Sequence, residues 1–174
     1  MIKKIVVIGP ECTGKSTLCA TLAKHFQTAW CPEYAREYLL QNEKSYTYPD
    51  ILTIAQGQIC QEEAILKTLP EDAPFYFIDT DMYIMKIWSE FVFGRCPYEI
   101  LREIATRHYD FYLLCQNDLP WVADELRECP DENIRTQLYH MYKDLLIQQH
   151  VPWAIIRGNE SERLHRAIEA IIAL

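Results

Sequence analysis

A parallel β-sheet covered by helices on both faces, a three-layer α/β architecture, is the fold this sequence predicts, and three observations predict it. Short runs of β-branched and aromatic residues, such as Ile5-Val6-Val7-Ile8, alternate with longer stretches whose apolar residues recur at helical spacing. The strand runs are apolar throughout, as strands buried on both faces require. The 174 residues are enough for one such unit burying about 70% of its unfolded surface, with no linker, repeat or low-complexity tract to divide it. A single domain over residues 1–174 is expected.

The elements follow in order. After the first strand, Leu18, Leu22 and Phe26 mark a helix. Thr28 to Cys31 reads as a second strand ending at Pro32, and Pro32 to Tyr38 falls at the sheet edge where α/β proteins bind ligands. Asp50 is placed to cap a helix carrying Ile51, Ile54, Ala55, Ile59 and Leu66, which ends before Pro70. Phe75 to Ile78 forms a third strand and delivers Asp79 and Asp81 to the same edge. A helix from Met82 to Phe93 stops at Gly94, and another spans Tyr98 to Thr106. Phe111 to Cys115 is the fourth strand. Gln116 to Pro130 breaks the pattern with two prolines and several charges, and reads as a mobile lid reaching to about residue 135. From Asp131 a helix carries Leu138, Met141, Tyr142, Leu145 and Leu146, and Val151 to Ile156 is the fifth strand. Asn159 and Glu162 have the spacing of a capping box for a last helix with Leu164, Ile168, Ile171 and Ile172 on one face.

Between the first strand and its helix stands Gly-Pro-Glu-Cys-Thr-Gly-Lys-Ser, Gly9 to Ser16, which fits GxxxxGK[ST]. Glycines let the backbone turn tightly, so that N–H groups from Glu11 through Cys12, Thr13 and Gly14 to Ser16, backed by Thr17, point into one concavity that holds a β-phosphate. Lys15 adds a full positive charge, the Ser16 hydroxyl is placed to ligate Mg²⁺, and the helix aims its N-terminal dipole at the anion. This is the phosphate-binding loop of a P-loop NTPase, and it predicts ATP with Mg²⁺. Asp79, directly after a strand, suits the second metal-associated carboxylate. Glu33 is the candidate base to orient or deprotonate an attacking hydroxyl. Arg127 and Arg135 flank the lid and are placed to neutralise charge on a transferring phosphoryl group. Tyr34, Arg36, Asp81, Trp88 and Trp121 are the candidates for acceptor contacts, the aromatics as flat faces for a base. The five histidines, His25, His108, His140, His150 and His165, show no metal-ligand spacing.

Bulk properties narrow the partners. A net charge of −8 disfavours nucleic acid, whose backbone demands a basic surface. No apolar run approaches the ~20 residues of a membrane span. Seven cysteines, an odd number with no CxxC pair, point to reduced thiols in the cytoplasm. Oligomeric state has no signature in the sequence. A small-molecule kinase acting on a nucleoside-like acceptor is the leading expectation. The alternatives are a kinase for another nucleoside or metabolite and a regulatory P-loop ATPase acting through protein partners, although the NKxD segment of guanine-specific switches is absent.

Five segments together resemble the ribosylnicotinamide kinase domain of NadR-type NAD-biosynthesis proteins. They are the loop Gly9 to Thr17, Glu33-Tyr34-Ala35-Arg36-Glu37-Tyr38, Phe77-Ile78-Asp79-Thr80-Asp81, Gly94-Arg95 with Pro97, and Pro120-Trp121-Val122-Ala123-Asp124 leading to Leu126-Arg127. The resemblance implies a P-loop kinase with a five-stranded parallel core that phosphorylates the 5′-hydroxyl of nicotinamide riboside at the expense of ATP. It also implies Trp121 near the substrate base, Arg127 and Arg135 on the lid, and the turn Arg157-Gly158-Asn159 beside adenine. The kinase-like part occupies the whole chain, without the adenylyltransferase and DNA-binding regions of the family's full-length members. Ile84-Met85-Lys86 stands where the family pattern leads one to expect a small polar run, which bears on the acceptor pocket.

Overall fold

The computed structural model describes residues 2–174. Five strands, β1 (Lys3–Ile8), β2 (Trp30–Cys31), β3 (Phe75–Asp79), β4 (Phe111–Cys115) and β5 (Trp153–Ile156), form one sheet in the order β2-β3-β1-β4-β5. Every pairing is parallel. Seven helices connect and follow them: α1 (Lys15–His25), α2 (Tyr34–Gln41), α3 (Tyr48–Leu66), α4 (Met82–Phe93), α5 (Tyr98–Thr106), α6 (Glu132–Gln148) and α7 (Glu160–Ile172).

The alternation of side chains along β1 explains the layers. Val6 and Ile8 join Tyr76, Ile78, Tyr112 and Leu114 in a core shared with α4 and α6, whereas Ile5 and Val7 join Phe77 and Leu113 against α1 and α7. Ile5 to Ile8 are wholly buried, which is why the run carries no polar position. A third cluster, with Ile51, Ile54, Met85 and Ile100, packs α3, α4 and α5 together. From β1 the chain runs outward to β2 on one side, and after β3 it crosses to β4 on the other. That reversal opens a crevice beyond the carboxyl ends of β1 and β3.

Local chemistry moved some boundaries. The α3 helix starts at Tyr48, so Asp50 is not its cap: Asp50 reaches back to the Thr47 N–H at 2.7 Å and hydroxyl at 2.6 Å, completing a capping box that lets the helix begin earlier. Strand β2 is only two residues long and β5 begins at Trp153. The segment after Pro32 is a short helix, α2, which the sequence reading left unassigned. Asp131 caps α6, Asn159 caps α7 with Glu162 reaching back, and left-handed Gly94 ends α4. Ile172, expected on the apolar face of α7, is 69% exposed. Among the described residues no helix is long and apolar enough to cross a membrane, and all seven cysteines are free.

Candidate functional site

The phosphate loop is built by backbone constraints. Gly9 leaves β1 at φ 146°, and a Cβ there would stand 2.5 Å from the Cys115 carbonyl oxygen, so the loop can pass this close to β4 only without a side chain. Gly14 takes the left-handed conformation at the start of α1. Cys12, at φ 59°, is a non-glycine held in that same region, a strain of the kind functional loops store. Thr13 Oγ1 donates to the Pro10 carbonyl at 2.8 Å, and half-buried Lys15 donates to that carbonyl at 3.0 Å. Lys15 therefore has only one loop carbonyl to leave in order to meet an anion.

Beneath the loop lies Arg163, a residue the sequence reading missed. It is 2% exposed and donates to the carbonyls of Thr13 (3.1 Å), Gly158 (2.7 Å) and Gln116 (3.0 Å), while pairing with Asp118. One guanidinium thus fastens the loop to the ends of β4 and β5. The available signal was its register: Arg163 precedes buried Ala167 by four residues and buried Ile171 by eight, which puts a charge on an apolar stripe.

Two carboxylates face the loop. Ser16 Oγ donates to Asp79 Oδ2 at 2.5 Å. Asp79 is fully buried, and its Oδ1 has no hydrogen-bond partner among the described residues. Burial pushes its carboxyl above the ordinary range, against the opposing pull of Lys15 and the Ser16 hydroxyl. An unsatisfied buried carboxylate oxygen beside a hydroxyl is a donor set suited to a hard divalent cation. No group of three or more His, Cys, Asp or Glu side chains is placed to hold a metal among the described residues, so such an ion would complete its shell with water and phosphate oxygens. Glu33, the residue before α2, is half-buried. Burial chiefly raises its carboxyl to about 7, with Lys15 lowering it and Asp79 raising it. Buried Gln58 of α3 connects the two: its Oε1 accepts the Tyr34 N–H at 2.8 Å, and its Nε2 donates to the carbonyls of Pro32 (3.4 Å) and Asp79 (3.5 Å).

The irregular segment 116–130 lies across this crevice. The Glu11 carboxylate accepts the N–H groups of Glu128 and Cys129, each at 3.0 Å. Arg127 Nη1 donates to Cys12 Sγ at 3.3 Å and to the Val122 carbonyl. From the α2 side, Arg36 pairs with Asp124 at 3.1 Å and Lys44 with Glu125 at 2.5 Å. Within the segment, Leu126 and Cys129 are buried. The cavity so enclosed measures about 670 Å³, a volume suited to small organic ligands, and is lined by the loop, Glu33, Arg36, Asp79, Trp88 and Arg127.

Gly9 and Glu11 to Thr17 line this cavity with those side chains, so most of the expected site is brought together. Seven positions are not. Tyr34 packs on α3, where a Cβ at Gly57 would lie 2.0 Å from its ring; the glycine makes room for the tyrosine there. Asp81 caps α4 through the Tyr83 N–H at 3.0 Å and accepts the Tyr112 hydroxyl at 2.8 Å, so it turns to a separate cavity of about 220 Å³ and not to the acceptor side. Trp121 lies under the guanidinium groups of Arg135 (4.7 Å) and Arg127 (5.7 Å), as an aromatic in a charged loop prefers. Arg135 is 6% exposed and donates to the carbonyls of Cys129 and Pro130 at 2.9 and 2.6 Å, holding the start of α6. In the Arg157-Gly158-Asn159 turn, Gly158 N–H donates to Asp118 at 2.7 Å and Asn159 caps α7, and none of the three lines the cavity. In the other direction, Ile84 and Met85 do line it, while Lys86 turns aside to pair with Glu90 at 2.6 Å. That wall is apolar where a polar one was expected.

A phosphate-binding loop on a five-stranded parallel sheet of this order defines a P-loop nucleotide-binding domain. The profile of the AAA domain family matches residues 4–163, and the chain belongs to that family. It is similar to the trifunctional NAD biosynthesis/regulator protein NadR of Escherichia coli (strain K12), with 26% identity over 175 residues, 98% of this chain and 42% of that protein. The NadR of Salmonella typhimurium (strain LT2) matches with the same identity and coverage. The chain spans less than half the length of these curated relatives. A solved structure of a NadR protein in complex with NR superposes with a TM-score of 0.79 at 22% identity, covering 99% of this chain and 49% of that one. A NadR complex with NAD and AMP-PNP gives 0.76 at 21%, with the same coverage. A thymidylate kinase from Ehrlichia chaffeensis gives 0.71 at 12%, covering 97% and 98%. At these identities the structures establish the fold.

Proposed function

We propose that this chain is an ATP-dependent kinase that phosphorylates the 5′-hydroxyl of nicotinamide riboside to give nicotinamide mononucleotide. The observation that carries the reading is convergence: a phosphate cradle, the Ser16–Asp79 pair and Glu33 open on one cavity that also presents apolar and aromatic side chains, among them Ile84, Met85 and Trp88. Phosphoryl transfer needs little more than positioning and charge neutralisation, and these are the parts that provide them. Similarity to NadR proteins over 98% of the chain supports the choice of acceptor, as does a related protein's structure holding NR.

In this mechanism the N–H groups of the loop grip the β-phosphate, and Lys15 moves from the Pro10 carbonyl to span the β- and γ-phosphates. Ser16 and Asp79 would hold Mg²⁺, which when bound neutralises charge on the phosphate oxygens. Glu33 takes the proton of the 5′-hydroxyl as that oxygen bonds to the γ-phosphorus. The bond from this phosphorus to the β,γ-bridging oxygen breaks, and ADP departs. Arg127 supplies positive charge from the segment above the loop, and we read residues 116–135 as a lid that opens to exchange ligands. Trp88 flanks the base. Seven unpaired cysteines support a reducing, cytoplasmic setting.

The test incubates the protein with ATP and Mg²⁺ against nicotinamide riboside and a panel of other nucleosides, with products weighed by mass spectrometry. Nicotinamide mononucleotide and ADP are expected in equal amounts. ADP release that no nucleoside accelerates would overturn the reading.

A further inference from the structure

The sheet stops one residue short at the edge of the crevice, and a side chain stands in for the missing rung. Strands β2 and β3 pair as far as Cys31 opposite Ile78. One step further would set Pro32 opposite Asp79, but proline has no N–H to offer, and β2 ends before it. Gln58, midway along α3 and 1% exposed, fills the place. Its Nε2 donates to the Pro32 carbonyl at 3.4 Å and the Asp79 carbonyl at 3.5 Å, and its Oε1 accepts the Tyr34 N–H at 2.8 Å. The orientation of the amide is forced, because a backbone N–H only donates and a carbonyl only accepts. One turn along α3, Gln61 donates to the same Pro32 carbonyl at 2.7 Å, but among the described residues it has no bond to Tyr34 or Asp79.

What Gln58 holds is the backbone on both sides of Glu33. The carbonyl before that residue and the N–H after it end on one amide, which also grips the strand end carrying Asp79. The Glu33 side chain does not fix itself: it stands at the N-cap of α2 without a capping hydrogen bond. Both carboxylates line the cavity, and Gln58 does not.

We infer that Gln58 is a positioning residue for the transfer: by joining the Glu33 backbone to the end of β3, it sets the spacing between the base and the carboxylate that would hold Mg²⁺. The inference rests on the proposed kinase reading and adds to it a residue that touches no ligand. A misplacement of about 1 Å at such a centre costs up to about 10²-fold in rate.

The test is a double-mutant cycle on phosphoryl transfer to nicotinamide riboside, followed by ADP release, with wild type, Glu33→Gln, Gln58→Met and the double variant. Methionine keeps the length of the side chain and removes the amide. Gln58→Met should lower kcat by about tenfold or more, with KM for ATP within about twofold because the phosphate cradle is untouched. On the Glu33→Gln background the same change should cost less than about threefold, since a base that is absent cannot be misplaced. A glutamine that merely supports the fold would cost the same factor on both backgrounds, and equal factors overturn the inference. So does a wild-type kcat in Gln58→Met. Gln58→Asn, one methylene shorter, withdraws the amide while keeping a polar group, and takes the place of the methionine variant in the cycle if that protein fails to fold. Amide hydrogen exchange at Tyr34 gives a readout independent of turnover: it should be about tenfold faster or more without the Gln58 acceptor, and unchanged exchange overturns the inference as well. The two readings therefore separate. Faster exchange in a protein whose wild type phosphorylates no nucleoside overturns only the kinase reading, and equal factors in an active kinase overturn only this one.

Discussion

The phosphate loop and the segment that covers it are two halves of one cavity made in opposite ways. The loop is nine consecutive residues held by main-chain geometry, with two glycines at positive φ, Thr13 and Lys15 bonded within it, and buried Arg163 underneath. The cover is irregular backbone held by side chains from elsewhere: Glu11 of the loop, Arg36 of α2, Lys44 and Tyr46 of the loop beyond. Two of these four anchors are partly exposed ion pairs, which contribute at most about 1 kcal/mol each. The difference teaches where function should be brittle. Changes in the loop remove an instrument, and changes in the cover retune one.

Lys15→Ala should show this most strongly. With the ammonium gone, charge developing across the β- and γ-phosphates has no fixed counterpart, and kcat should fall by at least about 10³-fold. Among the described residues the Lys15 side chain bonds only to the Pro10 carbonyl, so the circular dichroism spectrum and melting temperature should stay close to wild type. Near wild-type turnover would break the comparison at its strongest point.

Glu33→Gln comes next, with an expected loss of about 10²-fold in kcat. In the wild type the carboxyl lies near 7, and a base works only when ionised, so kcat/KM should climb as pH rises through about 7, and the variant should lose that limb. Stability should move the other way. The folded value stands above the ordinary 4.5, so the group's contribution is complete below pH 4.5 and fades as pH rises through 7. Urea unfolding of the two proteins across that window should therefore show wild type losing ground to the variant. Parallel curves would mean that Glu33 is not the titrating group.

Much of this contrast was legible in the sequence. The phosphate loop can be read because its ligands are contiguous, and a spacing of glycines, lysine and serine encodes its geometry directly. The strand runs could be read for the same reason: double-sided burial leaves an unbroken apolar record from Ile5 to Ile8. Glu33 and Asp79 were legible as residues at strand ends, but not the side chain joining them, since Gln58 sits mid-helix and acts on backbone groups from two other segments. Arg163 was hidden likewise, 150 residues from the Thr13 carbonyl it holds. Asp81 and Asp79 look alike in the sequence. Only the direction in which α4 departs makes one a cap and leaves the other with a free oxygen. Trp121 and Arg135 read as ligand contacts in the sequence because a loop rich in charge leaves no packing clue, and in the structure they pack on one another.

The smallest expected effect tests the cover itself. Asp124 accepts the Leu126 N–H at 3.0 Å and the Arg36 guanidinium at 3.1 Å, and its carboxyl is held below the usual range by the first and then by the second. Asp124→Asn can keep the backbone bond and loses the ion pair, so it isolates the electrostatic part of one anchor. Because both partners are partly in water, the acceptor's KM should rise only about two- to threefold at low salt, with kcat unchanged. The gap between variant and wild type should close near 0.5 M salt, where screening acts within about 4 Å. A salt-independent rise of tenfold or more would mean that the pair is part of a rigid wall, and that cavity and cover are built on the same terms as the loop.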